Sequence, residues 1–135
     1  MKKIWVVLLI IPLILLCGFK KRNKPIIILS SNPITAESSH TIENNFYAKS
    51  KIYFALLAKD GFKQPGVRLQ ISKQDDKTSN WGYSIILSKD FYVDTSQNVY
   101  NNYVYIQKGG HYILQFFYLN NKDYPFAHRE FRVQE

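Results

Sequence analysis

The sequence has a single cysteine, Cys17, and none in the 118 residues that follow it. The main body therefore cannot form an internal disulfide and must be stabilised by packing alone. Several signatures of chemistry are also missing. The chain has no Gly-x-Ser-x-Gly nucleophile elbow, no Cys/His pair and no calcium loop of the D-x-[DN]-x-[DN]-G type. We therefore expect no enzymatic activity, because catalysis needs a positioned acid, base or nucleophile.

The one long hydrophobic run lies at the start of the chain. Residues 4–16 carry no charge and follow Lys2 and Lys3, a pattern typical of a signal peptide. A membrane-spanning helix needs about 20 apolar residues. The run therefore favours an export signal over a permanent anchor, and an uncleaved inner-membrane signal anchor is the alternative.

A cysteine closes this run. The segment ILLCG at 14–18 resembles a bacterial lipobox, although Leu16 stands where such sequences usually have Gly, Ala or Ser. The resemblance implies cleavage before Cys17, a diacylglycerol on its sulfur and an acyl chain on its new amino terminus. It divides the chain into a signal peptide (1–16), a basic tether (17–24) and a domain (25–135). The domain would be lipid-anchored in the bacterial envelope, in the periplasm or on the cell surface.

The net charge of +8 is concentrated beside the hydrophobic run. Six of the 18 basic residues lie in the first 24 positions, which leaves twelve basic against ten acidic residues and a net charge of +2 in the body. Basic residues close to an anionic membrane surface are attracted to it. The tether contributes four of them, namely Lys20, Lys21, Arg22 and Lys24. We expect a membrane partner and no nucleic acid, since the body lacks a basic stripe.

Hydrophobic patterning in the body predicts about seven β-strands. We expect them near residues 26–29, 51–58, 67–71, 81–87, 100–106, 111–119 and 126–133. Residues 30–45 are predicted to be a loop, and residues 88–98 a bent connection. The strand at 51–58 is apolar on both faces, as a central strand can be. Short strands separated by turn signals indicate an all-β sandwich or small barrel.

The C-terminal segment GGHYILQFFYLNNKDYPFAHREFRV, at 109–133, narrows the choice of fold. It resembles the end of immunoglobulin-like domains from bacterial envelope proteins, with a Gly-x-Tyr start, a hairpin and a final Phe-x-Val strand. The resemblance implies an immunoglobulin-like antiparallel β-sandwich without a disulfide. Tyr112 holds the place of a tyrosine whose hydroxyl bonds to nearby backbone in such folds.

Tyrosine is the compositional oddity, with ten residues, seven of them between Tyr92 and Tyr124. On a strand, Tyr103 and Tyr105 share one face while Val104 and Ile106 share the other. If the aliphatic pair faces the core, the tyrosines lie outside, where they and Trp81 are candidate partner contacts. The alternative is that these aromatic residues fill the core.

The functional prediction is a non-enzymatic envelope lipoprotein that binds another protein, as an envelope-assembly accessory or a toxin-immunity factor. The alternative is a glycan-binding or cell-wall-binding domain, with Trp81 and the tyrosines stacking on sugars. A third hypothesis is a metal-dependent enzyme built from His111 and His128, which come close if their strands pair in the right register. A zinc site needs three or four ligands, so we expect no metal and no cofactor beyond the lipid on Cys17.

Overall fold

The computed structural model describes residues 24–35, 43–75 and 82–135. All regular structure in these ranges is β-strand. The strands are β1 (Ile26–Ser30), β2 (Asn45–Tyr47), β3 (Ser50–Leu57), β4 (Gly66–Gln74), β5 (Tyr83–Tyr92), β6 (Val99–Ile106), β7 (Gly110–Tyr118) and β8 (Ala127–Gln134). No helix among these residues is long and apolar enough to span a membrane. The predicted signal peptide, Cys17 and the tether up to residue 23 lie outside the described residues.

The strands form two sheets. One has the order β1-β3-β6, and the other has the order β2-β8-β7-β4-β5. Neighbouring strands are antiparallel, except that β2 runs parallel to β8. This is the layout of an immunoglobulin-like sandwich, in which β1, β3 and β6 correspond to strands A, B and E, and β8, β7, β4 and β5 correspond to strands G, F, C and C′. The short strand β2 is added beside β8. The predicted fold class is therefore confirmed, with eight strands rather than about seven.

The core lies between the two sheets and is built by alternation along the strands. In β3, Ile52, Phe54 and Leu56 point inward and are almost fully buried. Ala55 points outward but is also buried, because β3 lies between β1 and β6. The prediction of a central strand that is apolar on both faces is confirmed. Facing it, Leu114 and Phe116 of β7 have no exposed surface.

A tyrosine side chain ties the start of the penultimate strand, β7, to the backbone just before it. The hydroxyl of Tyr112 donates a hydrogen bond to the carbonyl oxygen of Lys108 at 2.6 Å, which confirms the predicted tie to nearby backbone. Its ring stacks on Phe131 with 5.5 Å between centroids. Burial, and to a lesser extent the Glu135 carboxylate, raises the pKa of the Tyr112 hydroxyl above its usual value.

Two elements differ from the sequence prediction. β2 begins at the last residue of the expected loop. It has one buried residue, Phe46, and a single buried residue gives no alternating hydrophobic pattern. β5 runs on to Tyr92, through residues predicted to form a bent connection. It stays extended there because residues 88–92 pair with residues 66–70 of β4. A bidentate pair of hydrogen bonds from the Arg68 guanidinium to the Asp90 carboxylate, at 2.7 and 3.0 Å, joins the same two strands.

Candidate functional site

The two predicted contact tyrosines lie on the outer face of the three-stranded sheet. Tyr103 is 47% exposed and Tyr105 is 49% exposed, whereas Val104 and Ile106 are buried in the core. The alternation in the sequence is confirmed, and these two tyrosines are not core residues. Trp81, the third predicted contact, lies outside the described residues.

The face around the tyrosines is poor in charge. The strand register places Ile26, Leu57 and Val99 in one row across the sheet. A second row brings Tyr53 beside Tyr103, with 6.0 Å between ring centroids. Of the residues that the three strands direct to this face, only Lys51 is charged, and its Nζ lies 4.6 Å from the ring centroid of Tyr103. The face therefore offers apolar and aromatic contact with little charge to desolvate.

β6 has a neighbour on one side only. In constant-type immunoglobulin domains a further strand, D, lies in the sheet that contains E. Here residues 93–98 connect β5 directly to β6 and form no strand. The outer edge of β6 is therefore unpaired within the described part of the chain.

Backbone groups on this free edge can be assigned from two hydrogen bonds. The carbonyl of Ile106 faces β3, since it accepts from the N–H of Lys49 at 2.8 Å. The N–H of Tyr103 instead donates to the side-chain oxygen of Asn102 at 2.8 Å. Backbone groups alternate sides along an antiparallel strand. Asn101, Tyr103 and Tyr105 therefore direct their N–H and C=O groups away from β3.

A groove separates the free edge of β6 from β5, the edge strand of the other sheet. Ile86 and Leu87 line one wall, and Tyr105 and Ile106 line the other. The lysines Lys73 and Lys108 also line this groove. We use the name open edge for the whole of this surface. It consists of Ile85–Leu87, the groove, and the outer side of β6.

Sequence reasoning missed the part of the open edge that β5 contributes. Ile85, Ile86 and Leu87 are 62%, 47% and 38% exposed. Leu87 pairs with Ile71 and Ile85 with Ser72, so Ile86 is an extra residue in a β-bulge. The run of three aliphatic residues predicted a strand. All three are exposed because Ile86 is a bulge residue and because β5 has no neighbour on its outer side among the described residues.

The histidine hypothesis is wrong in its geometry. β7 and β8 pair as expected, but His111 faces Arg132 and His128 faces Gln115. The Nε2 atom of His111 lies 3.6 Å from a carboxylate oxygen of Glu130 instead. Among the described residues, no three His, Cys, Asp or Glu side chains are grouped so that they could hold a metal ion.

No protein-family model matches the chain, and no curated protein matches it in sequence. Solved structures resemble it in fold. The soluble domain of PmoD from a Methylocystis species is 14% identical, with a TM-score of 0.52 over 84% of this chain and 93% of that one. An immunoglobulin-like protein from Pseudomonas aeruginosa is 10% identical, with a TM-score of 0.47 over 80% and 91%. A candidate lipoprotein from Bacillus anthracis is 13% identical, with a TM-score of 0.45 over 84% and 74%.

Proposed function

We propose that this chain is a non-enzymatic, lipid-anchored protein of the bacterial envelope that binds another protein at the open edge. One observation carries the proposal. The unpaired edge of β6 lies between half-exposed tyrosines on one side and the apolar groove on the other. Partners in envelope assembly, or a toxin to which the chain confers immunity, fit this role.

Strand addition is the binding mode that the open edge favours. A partner strand laid along β6 would pair with the outward N–H and C=O groups of Asn101, Tyr103 and Tyr105. Its alternate side chains would contact the two tyrosine rings on one face and the Ile86–Leu87 wall on the other. Main-chain hydrogen bonds would give affinity, and the aromatic rings would add contact area at a low cost in side-chain entropy.

The anchor is proposed from the sequence, and the fold is compatible with it. The chain enters the first strand at Ile26, two residues after Lys24. A tether of residues 17–24 spans at most about 28 Å when fully extended. A lipid on Cys17 would therefore hold the sandwich close to the bilayer and limit its partners to proteins at that membrane.

A proline substitution on the free edge tests strand addition. Asn101→Pro removes one outward N–H while leaving the β3 pairing in place, because that N–H does not face β3. We expect a photoreactive residue at position 105 of the full-length chain to crosslink a partner in the envelope, and Asn101→Pro to abolish that adduct. Asn101→Ala is the matched control, and it should keep the adduct.

The tyrosine contacts are tested in the same cells. In a chain without the photoreactive residue, Tyr103→Ala combined with Tyr105→Ala should prevent copurification of the partner that the crosslink identifies, while Tyr47→Ala with Tyr124→Ala should not. Tyr47, in β2, and Tyr124, in the β7–β8 connection, are more exposed, at 70% and 76%, and neither is part of the open edge. Cell-wall polysaccharide binding that needs the two tyrosines and survives Asn101→Pro would contradict strand addition and favour the glycan alternative.

A further inference from the structure

A second cavity lies at the end of the sandwich where the chain enters β1. Its volume is about 320 Å³. Lys24 contributes to it from the start of the chain, and the β3–β4 loop contributes Lys59, Asp60 and Lys63. The aromatic wall is formed by residues at either end of the β7–β8 connection, Tyr118 and Phe126. None of these residues belongs to the open edge.

The cavity is built from fixed parts. The rings of Tyr118 and Phe126 stack with 4.0 Å between centroids. The hydroxyl of Tyr118 accepts a hydrogen bond from the N–H of Lys63 at 3.0 Å. A second hydrogen bond, from the N–H of Gly61 to the carbonyl of Ala58 at 2.9 Å, closes the turn that presents Lys59. Gly61 takes a φ of +80°, a conformation that favours glycine.

The charge of the cavity is unbalanced. Its lining holds three lysines and one aspartate, a net charge of +2. The two ion pairs found among the described residues are Arg68–Asp90 and His111–Glu130, so neither uses a lysine of this cavity. No ion pair among the described residues neutralises these lysines, and the chemistry that complements their charge is a compact anion beside an apolar surface.

We propose that this cavity binds the phosphoryl group of an anionic phospholipid in the membrane to which the chain is anchored. Lys24 lies seven positions after Cys17, and seven Cα–Cα steps span at most about 25 Å. The cavity therefore lies within reach of the bilayer surface, with the acyl chains of the lipid left in the membrane. The choice of a lipid rests on the proposed anchor at Cys17, whereas the phosphoryl chemistry rests on the cavity alone.

Lipid binding here would orient the open edge. Val99, at the start of β6, pairs with Leu57 beside the cavity, and Ile106 pairs with Ser50 at the opposite end of the sheet. The end of the groove at Tyr105 and Lys108 therefore lies away from the cavity. A domain docked through its lysines would direct that end of the groove away from the membrane, where a partner can approach it.

Two soluble probes test the proposal. The full-length chain in non-ionic detergent is titrated with monomeric dihexanoyl phosphatidylglycerol and, separately, with inorganic phosphate, while the amide NMR shifts of Gly61 and Lys63 are followed. We expect saturable shifts with both probes, and an affinity for the lipid at least about tenfold higher, because its glycerol backbone can pack on the aromatic wall whereas inorganic phosphate has no apolar part. Dihexanoyl phosphatidylcholine, which carries no net charge, should bind at least about tenfold more weakly than phosphatidylglycerol.

The variant Lys59→Gln with Lys63→Gln should weaken phosphatidylglycerol binding about tenfold. Lys89→Gln with Arg132→Gln, two exposed residues outside both the cavity and the open edge, makes the same change in net charge and should alter it less than about twofold. Equal losses in both variants, or no saturable shift with either probe, would overturn the site. Equal affinities for lipid and inorganic phosphate would overturn the lipid assignment. None of these variants touches Asn101 or the two tyrosines, so failure here leaves the crosslink at position 105 to decide the proposed function.

Discussion

The strands at the two lateral edges of the sandwich are covered to different extents. On one side, which we call the closed edge, β2 leaves the sheet of β1 and pairs in parallel with β8 of the other sheet. There Arg129 of β8 reaches between the sheets and donates from Nη1 to the carbonyl of Ile27 at 3.0 Å. Its Nη2 donates to the side chain of Asn44 at 2.8 Å. On the open edge, β5 and β6 face each other across a groove.

The difference shows which edge the fold covers with its own chain and which stays unpaired among the described residues. Unpaired strands invite unspecific association, and proteins blunt them with bulges, charges or side-chain contacts. The open edge has a bulge at Ile86 and a side-chain contact, in which the Asn102 side chain accepts a hydrogen bond from the N–H of Tyr103. These features hinder unspecific strand pairing but leave the rest of the edge unpaired among the described residues.

The largest expected effect separates the two edges by stability. Phe46 of β2 is 3% exposed and packs edge-on against Phe131 at 6.1 Å. Phe46→Ala should lower the free energy of unfolding by about 3–5 kcal/mol, because it opens a cavity at the closed edge. Ile86→Ala on the open edge should cost less than about 1 kcal/mol. Urea unfolding of the full-length chain measures both, and similar losses would show that the edges are packed alike.

A smaller effect isolates the contact between the sheets at the closed edge. Arg129→Met keeps the aliphatic stem but removes both hydrogen bonds, and should cost about 1–3 kcal/mol. The Nε of Arg129 is buried without a hydrogen-bond partner, and this cost offsets part of the stability that the two hydrogen bonds contribute. Arg132→Met, on an exposed neighbour in β8, is the control and should change stability by less than about 0.5 kcal/mol. An equal loss of stability in the Arg132→Met control would show that the Arg129 hydrogen bonds contribute nothing specific to the closed edge.

The smallest effect concerns Tyr112, whose ring packs on Phe131 but also lines the groove of the open edge. Tyr112→Phe removes the hydrogen bond to Lys108 and should cost about 1 kcal/mol at neutral pH. Because burial raises the pKa of this hydroxyl in the folded state, its stabilising contribution is complete below about pH 10 and is lost as the pH rises further. The stability difference between wild type and variant should therefore narrow above pH 10. Unfolding curves at pH 7 and at about pH 11 decide this, and a constant difference would contradict it.

Strong local patterns made much of the fold predictable. The strands predicted at 67–71 and 111–119 are both present, and Val67, Leu69 and Ile71 are buried at alternate positions of β4. The same alternation placed Tyr103 and Tyr105 outside. β2 could not be predicted, because three residues with one buried side chain carry no period, and its strand forms only when β8 is there to pair with it.

The sequence alone determined an all-β sandwich, the outward direction of two tyrosines and the position of the backbone tie at Tyr112. Each of these depends on the two-residue period of a strand or on a motif a few residues long. The tertiary structure alone decided that the outer side of β6 has no neighbouring strand among the described residues, that Ile85–Leu87 lie beside it, and that Lys24, Lys59 and Lys63 share a cavity. Those facts depend on strand order and register, which bring together residues up to several tens of positions apart and leave no local trace in the sequence.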